Sequence, residues 1–233
     1  MYLDILVFAA HPDDAELSCS GTLMHHMAMG KKVGIIDLTR GELGTRGSAE
    51  LRDEEARKSS KILGIQAREN LGLADGFFEN NKENQLKIIE IIRKYQPNLV
   101  LANAVTDRHI DHGRAAELVH NACFLSGLSK IITGDLKAWR PKRVLHYIQD
   151  YNMKPDIVID ITPWMDRKKE CIMAFSSQFY NPESTEPETP ISNQLFFKFL
   201  EARAREMGRL IGVEFGEGFV TKTPLNLKDL TLI

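Results

Sequence analysis

Two rhythms of apolar and polar positions take turns along this chain. Residues 3–10, "LDILVFAA", form a short and almost unbroken apolar run, the pattern of a strand buried on both faces. A helical spacing follows over residues 15–30 and stops at Gly30, a C-cap signal. The alternation continues with a strand over 32–39, a Gly-rich loop over 40–50, a helix over 51–64 closed by Gly64, a strand over 67–73, a helix over 84–96 and a buried strand over 97–103. The second half is less regular. It predicts a helix over 113–127, strands over 143–148 and 156–161, a helix over 163–175, a proline-bearing polar loop over 176–190 and a long helix over 192–212. Strand and helix in such succession imply an α/β fold with a mostly parallel sheet, helices on both faces and right-handed crossovers. The length of 233 residues suits one domain, 1–233, with the proline-bearing segment as a surface loop.

Composition narrows the partners. Thirty Lys and Arg stand against 32 Asp and Glu, a net charge of -2, and the pI is near 6.4, so nothing favours nucleic acid or an anionic membrane. A small-molecule partner is the expectation. The apolar runs are too short to span a bilayer, and the N-terminus lacks a basic start and a cleavage site, so a cytoplasmic location is expected. Cys19, Cys123 and Cys171 lie far apart and form no C-x-x-C pair, which predicts reduced, buried packing residues.

Chemistry appears where the apolar pattern breaks off. "AHPDDAE", residues 10–16, places a histidine and two adjacent aspartates at the end of the first buried strand, where the carboxylates need solvent or a cation to be tolerated. "TDRHIDHG", residues 106–113, follows the strand at 97–103. Ligands of open α/β sheets bind outside the carboxyl ends of the strands. His11 and Asp14, three apart, can converge there with His112. Two imidazoles and a carboxylate form a zinc set that leaves a position open for water, and such N and O donors also suit Fe2+ or another divalent metal. Asp13 is then the candidate general base, acting on a water whose pKa the metal lowers to roughly 7. His109 is placed to stabilise an oxyanion or protonate a leaving group, with Asp111 holding its ring and favouring the protonated form. Together these roles describe hydrolysis of an acyl bond. Either segment alone reads equally as a solvated turn or polar loop; their joint position favours the metal. His25, His26, His120 and His146 fall within helix or strand patterns and read as packing or surface residues. Carboxylates stand where a nucleotide fold needs G-x-G-x-x-G, and no G-x-S-x-G occurs for a serine nucleophile.

"AHPDDAE" with "DRHIDH" resembles the zinc-dependent N-acetylglucosamine deacetylase superfamily, the LmbE-like or PIG-L-like proteins, across nearly the whole chain. "TRGELGTRGSAELRDEEARKSSKILGI" and "SSQFYNP" look like the bacterial deacetylases of bacillithiol biosynthesis, which remove acetate from N-acetylglucosaminyl-L-malate. The resemblance implies a Rossmann-like fold, a homo-oligomer, one zinc per chain on His11, Asp14 and His112, Asp13 as base and His109 beside the tetrahedral intermediate. Ile110 departs from the proline common at this place, which affects the rigidity of the loop that carries His109. A malate carboxylate calls for a bidentate arginine: Arg52 is the first expectation, with Arg108 and Arg46 behind it, and Gln178 is the candidate for sugar hydroxyls. The glycines of residues 41–47 suit a loop that orders over substrate. Other acyl sugars (chitobiose-like, inositol-linked, lipid-linked or thiol-conjugated) keep the same chemistry; a metal-binding module without catalysis would not need Asp13 and His109.

Overall fold

The computed structural model describes residues 1–226 and 229. Among them, β1 (Ile5–Ala9), β2 (Val33–Asp37), β3 (Ala67–Asn70), β4 (Leu99–Ala102), β5 (Arg143–Tyr147), β6 (Ile157–Asp160) and β7 (Gly216–Val220) form one sheet in the order β3-β2-β1-β4-β5-β7-β6. The first five in spatial order run parallel, and β7 is antiparallel to both β5 and β6. Between them lie α1 (Asp14–Ala28), α2 (Ala49–Leu63), α3 (Lys82–Tyr95), α4 (Ile110–Leu125), α5 (Met165–Met173) and α6 (Phe196–Ile211).

The alternation of side chains along β1 explains the layers. Leu6 and Phe8 point to one face and pack with Ile88 and Ile92 of α3 and Leu118 and Val119 of α4. Ile5, Val7 and Ala9 point to the other, among Cys19 and Leu23 of α1, Leu63 of α2 and Cys171 of α5. All five β1 residues are buried, so the near-continuous apolar run is what a strand covered on both sides requires. Cys19, Cys123 and Cys171 are free and buried, as their spacing predicted.

Two helix starts and one strand depart from the sequence pattern in ways that shape the site or its packing. α4 begins at Ile110 rather than residue 113, so Asp111 and His112 sit in its first turn and His109 is the N-cap. α6 begins at Phe196 rather than 192, because Asn193 folds back to accept the Leu195 N–H. The strand β7 was not anticipated at all. Its "GEGFV" looks like a turn, but the glycines are there for close packing: a Cβ on Gly216 would lie 2.9 Å from the Gly208 nitrogen of α6, and one on Gly218 would lie 2.9 Å from Met207 Sδ. No helix among the described residues is long and apolar enough to cross a membrane.

β1 lies where the strand order reverses, with β2 on one side and β4 on the other. The crevice outside the carboxyl ends at such a switch point is the expected ligand site.

Candidate active site and metal centre

Five carboxyl ends of strands meet in that crevice. Residues 10–14 follow β1, the loop 39–46 follows β2, Asp75 follows β3, residues 103–112 follow β4 and Gln149 follows β5. They line a cavity of about 360 Å³ that includes His11, Asp13, Asp14, His109 and His112. A larger hollow of about 630 Å³ lies against α2 and β3, but its lining has no imidazole and includes the Asp37–Arg68 ion pair. The smaller cavity is therefore the candidate site.

Asp14 is the hub. Its Oδ1 lies 3.1 Å from His112 Nε2, and its Oδ2 lies 3.5 Å from His11 Nδ1. Each imidazole turns its other nitrogen to a carboxylate. His112 Nδ1–H donates to Asp107 Oδ2 at 2.5 Å, and His11 Nε2 lies 3.2 Å from Asp75 Oδ1 and 3.4 Å from Asp111 Oδ2. That arrangement orients both rings and turns one nitrogen of each toward Asp14, with the other held by a carboxylate as in the usual surrounding of a metal-bound histidine. Ligand atoms of His11, His109 and His112, and of His11, Asp75 and Asp111, also fall within 4.8 Å of one another, and His109 Nδ1 accepts the Asp111 N–H at 3.3 Å as the cap of α4. His11, Asp14 and His112 lie side by side as well, two imidazole nitrogens on one carboxylate, a donor set whose chemistry suits a divalent ion.

Electrostatics agree with that fit. Burial raises the Asp14 pKa, yet the His112 charge and hydrogen bonds to both histidines hold it well below the usual carboxylate range. Burial lowers the His112 pKa, but Asp14 and Asp107 push it up to about 9, and three carboxylates raise that of His11 in the same way. A carboxylate between two protonated rings is the arrangement a cation replaces when it displaces the protons.

Asp13 faces another partner. Its backbone φ of 118° is one a non-glycine residue adopts at a cost of about 1–3 kcal/mol. Arg52 secures it, donating through Nη2 to Pro12 O at 2.5 Å and to Asp13 Oδ2 at 2.9 Å. Burial pushes the Asp13 carboxyl up to about 7, with Arg52 opposing and Asp14 adding to the rise. Gly41 makes room for Arg52: its φ is 65°, and a Cβ there would collide with Arg52 Nη1.

Several expected roles change. Asp111 does not hold the His109 ring: its carboxylate accepts the Gly76 N–H at 2.8 Å, meets Arg114 at 3.2 Å and faces His11. The reason is the earlier start of α4, which turns side chain 111 away from its N-cap. His109 is not held protonated either; burial and then the charges of His11 and His112 lower its pKa. Arg52 has its guanidinium on Asp13 rather than free for a substrate carboxylate. Arg108 lines the cavity but pairs with Asp150 at 2.8 Å, and Gln178 lines it while donating to Arg46 O at 2.9 Å and Ser177 Oγ at 2.8 Å. Arg46 lies outside the lining and donates to Ser184 Oγ at 2.7 Å. Asp75, Asn103, Asp107 and Gln149 escaped the sequence reading, although each is polar and lies in the segment just past a strand, the signal that singled out "HPDD".

The sequence and the fold are similar to those of known proteins. The conserved protein TT1542 of Thermus thermophilus superposes with a TM-score of 0.87 at 34% identity, covering 98% of both chains. The diacetylchitobiose deacetylase of Thermococcus kodakarensis is 28% identical over 225 residues, 92% of this chain and 81% of its own length. A probable N-acetyl-alpha-D-glucosaminyl L-malate deacetylase 2 of Bacillus anthracis is more distant, 24% identical over 191 residues, 75% of this chain and 81% of its own. The sequence model of the PIG-L family, GlcNAc-PI de-N-acetylase, matches residues 6–123, which carry both histidine-aspartate segments, and the chain belongs to this family of deacetylases.

Proposed function

We propose that this protein is a metal-dependent hydrolase that removes acetate from the amide nitrogen of an N-acetylglucosamine-containing substrate. One observation carries the reading: Asp14 sits between one ring nitrogen of His11 and one of His112, in the same cavity as Asp13 and His109. Zinc is the metal we assign to His11, Asp14 and His112, since two imidazoles and one carboxylate are its usual catalytic donors. The ion would supply Lewis-acid polarisation of the acetyl carbonyl and acidify a water.

The chain's own residues do the rest. Asp13, desolvated and oriented by Arg52, takes the proton of the attacking water. His109 has Nδ1 engaged by the Asp111 N–H, so its other nitrogen is the one that donates to the oxygen on which charge develops. The proton held by Asp13 then goes to the departing amine. Amide cleavage yields acetate and the free amino sugar.

For the rest of the substrate, the ion pairs favour a neutral second group, such as another sugar ring. Arg52 is engaged by Asp13 and Arg108 by Asp150, while Arg203 donates to the Gln149 and Leu17 carbonyls. A malate carboxylate would have to release one of them. The malate reading, and with it a place in bacillithiol biosynthesis, rests on residues 39–65 and 176–182 and on the Bacillus relative. The test is acetate release from N,N'-diacetylchitobiose, N-acetylglucosaminyl-L-malate and N-acetylglucosamine, with metal-stripped protein before and after zinc is restored. Zinc-restored cleavage with the highest kcat/KM on the disaccharide is expected. A preference for the malate glycoside would reverse the aglycone assignment, and cleavage unaffected by stripping would remove the metal from the mechanism.

A further inference from the structure

The polar contacts behind Asp14 form a second structure within the site, and its donors and acceptors can be assigned without ambiguity. Ala10 N–H can only donate, and it reaches Asn103 Oδ1 at 2.9 Å. Asn103 must therefore present its Nδ2 to the other side, where it lies 3.0 Å from Asp14 Oδ2 and 3.0 Å from Gln149 Oε1. Ala104 N–H likewise can only donate, and it reaches the same Gln149 Oε1 at 3.1 Å. Gln149 must then present its Nε2 forward, where it lies 3.0 Å from Asp14 Oδ1 and 3.5 Å from His112 Nε2. Both amides are buried, and His146 Nδ1–H anchors the strand end behind them by donating to Asn103 O at 2.9 Å.

The consequence for Asp14 follows from counting lone pairs. A carboxylate offers about four acceptor directions, two on each oxygen. Oδ2 receives His11 N–H at 3.0 Å and Asn103 Nδ2–H at 3.0 Å, which occupies both of its directions. Oδ1 receives Gln149 Nε2–H on one side, and its other direction is taken by His112 Nε2 at 3.1 Å, the position a cation would share. A carboxylate without this support could turn and offer both oxygens to a cation.

We propose that Asn103 and Gln149 are positioning residues: a pair of carboxamides, one from the end of β4 and one from the end of β5, that holds Asp14 as a one-oxygen ligand and keeps a coordination position open for water and the substrate carbonyl. The inference rests on the assignment of His11, Asp14 and His112 as the metal set. It explains two features that the proposed mechanism leaves unused. An amide is present at each position because a carboxylate there could not donate to Asp14. The bonds need no metal, so the stripped protein keeps Asp14 aimed and binds the ion without reorganising it.

Gln149 is the residue to change, since it lines the cavity, whereas Asn103 is fully enclosed. Metal-stripped wild type, Gln149→Met, Gln149→Ala and His112→Ala are titrated with Zn2+, and the visible absorption of the Co2+-loaded proteins is recorded. Met fills the space without a donor; Ala leaves room for a water that can take the place of the amide. Gln149→Met should weaken Zn2+ binding about 10- to 100-fold, the usual cost of losing an outer partner of a ligand. Its Co2+ bands should lose intensity, as a second Asp14 oxygen raises the coordination number. Gln149→Ala should fall between Gln149→Met and wild type, with unchanged far-ultraviolet circular dichroism for both. If His112→Ala loses the metal while both Gln149 variants keep wild-type affinity and Co2+ bands, the positioning role is wrong and the metal assignment stands. A fall in kcat alone, with affinity and bands unchanged, also overturns it and makes Gln149 a group that touches the reacting atoms. If His112→Ala binds Zn2+ as wild type does, the metal assignment fails and takes the positioning role with it.

Discussion

The two walls of the cavity are built differently. On the side of α1 and α4, every group near Asp14 descends from a strand end and is braced by buried partners: Asp107 behind His112, Asp75 and Asp111 behind His11, Asn103 and Gln149 behind Asp14 itself. The opposite wall includes two loops, 41–47 and 176–191, that hold each other through buried Arg46, half-buried Ser184 and exposed Glu186. Buried hydrogen bonds to charged groups cost more to break than exposed ones, because an orphaned buried partner cannot turn to water. The strand-end wall should therefore tolerate little change, and the loop wall more.

The sharpest way to break the first wall without dismantling it is Asp13→Asn. The amide keeps the volume and can still accept from Arg52, but it cannot take a proton. We expect kcat to fall roughly 10²- to 10⁴-fold, the usual contribution of a general base, with Zn2+ content unchanged because Asp13 faces Arg52 rather than the imidazoles. Steady-state kinetics with metal analysis checks both parts. Loss of the metal along with activity would move Asp13 into the ligand set.

Asp107→Asn probes the brace behind a ligand. The remaining oxygen of the amide can still accept from the Asp150 and Tyr151 N–H groups, each 2.9 Å from Asp107 Oδ1, so the turn should persist. What is lost is the acceptor for His112 Nδ1–H and with it the fixed tautomer. Zn2+ affinity should drop about 10- to 100-fold. A competition titration against a chelator measures it, and an unchanged constant would mean that Asp107 serves the turn and not the histidine.

The same contrast explains what the sequence made legible. The apolar run of β1, the C-caps at Gly30 and Gly64 and the two charged segments past buried strands are local signals, and they led to the α/β sheet and to the cluster around Asp14. β7 was hidden because its glycines answer to α6, a partner that no local pattern reveals. Asp111 was assigned to the wrong ring because a helix start displaced by three residues, 110 against the expected 113, redirects the side chains of its first turn. Arg52 looked like a free cation until the fold brought it to Asp13, since its partner lies 39 residues away in sequence. Charge pairing across the fold is the information the chain pattern lacks, and it is what bears on the aglycone.

The smallest expected effect belongs to the loop wall, and Glu186→Ala is designed to show it. Glu186 accepts the Gly47 N–H at 2.8 Å through Oε1 and faces Arg46 Nε at 3.5 Å through Oε2, so one side chain joins the Gly-rich loop to the proline-bearing one. Its side chain is 43% exposed, which limits the ion pair to the small values typical of solvated partners, while Arg46 keeps its bond to Ser184 and Gln178 keeps its bond to Arg46 O. A net loss near 1 kcal/mol is the scale for such a hydrogen bond, equivalent to about a 5-fold change in an equilibrium constant. Because Leu43, Gly44 and Thr45 from one loop and Thr189, Pro190 and Ile191 from the other line the cavity, loosening their junction should raise KM by that factor and leave kcat and Zn2+ affinity as they were. A drop in kcat of the size expected for Asp13→Asn would show that the loops align the reacting atoms, and the division between the two walls would then fail.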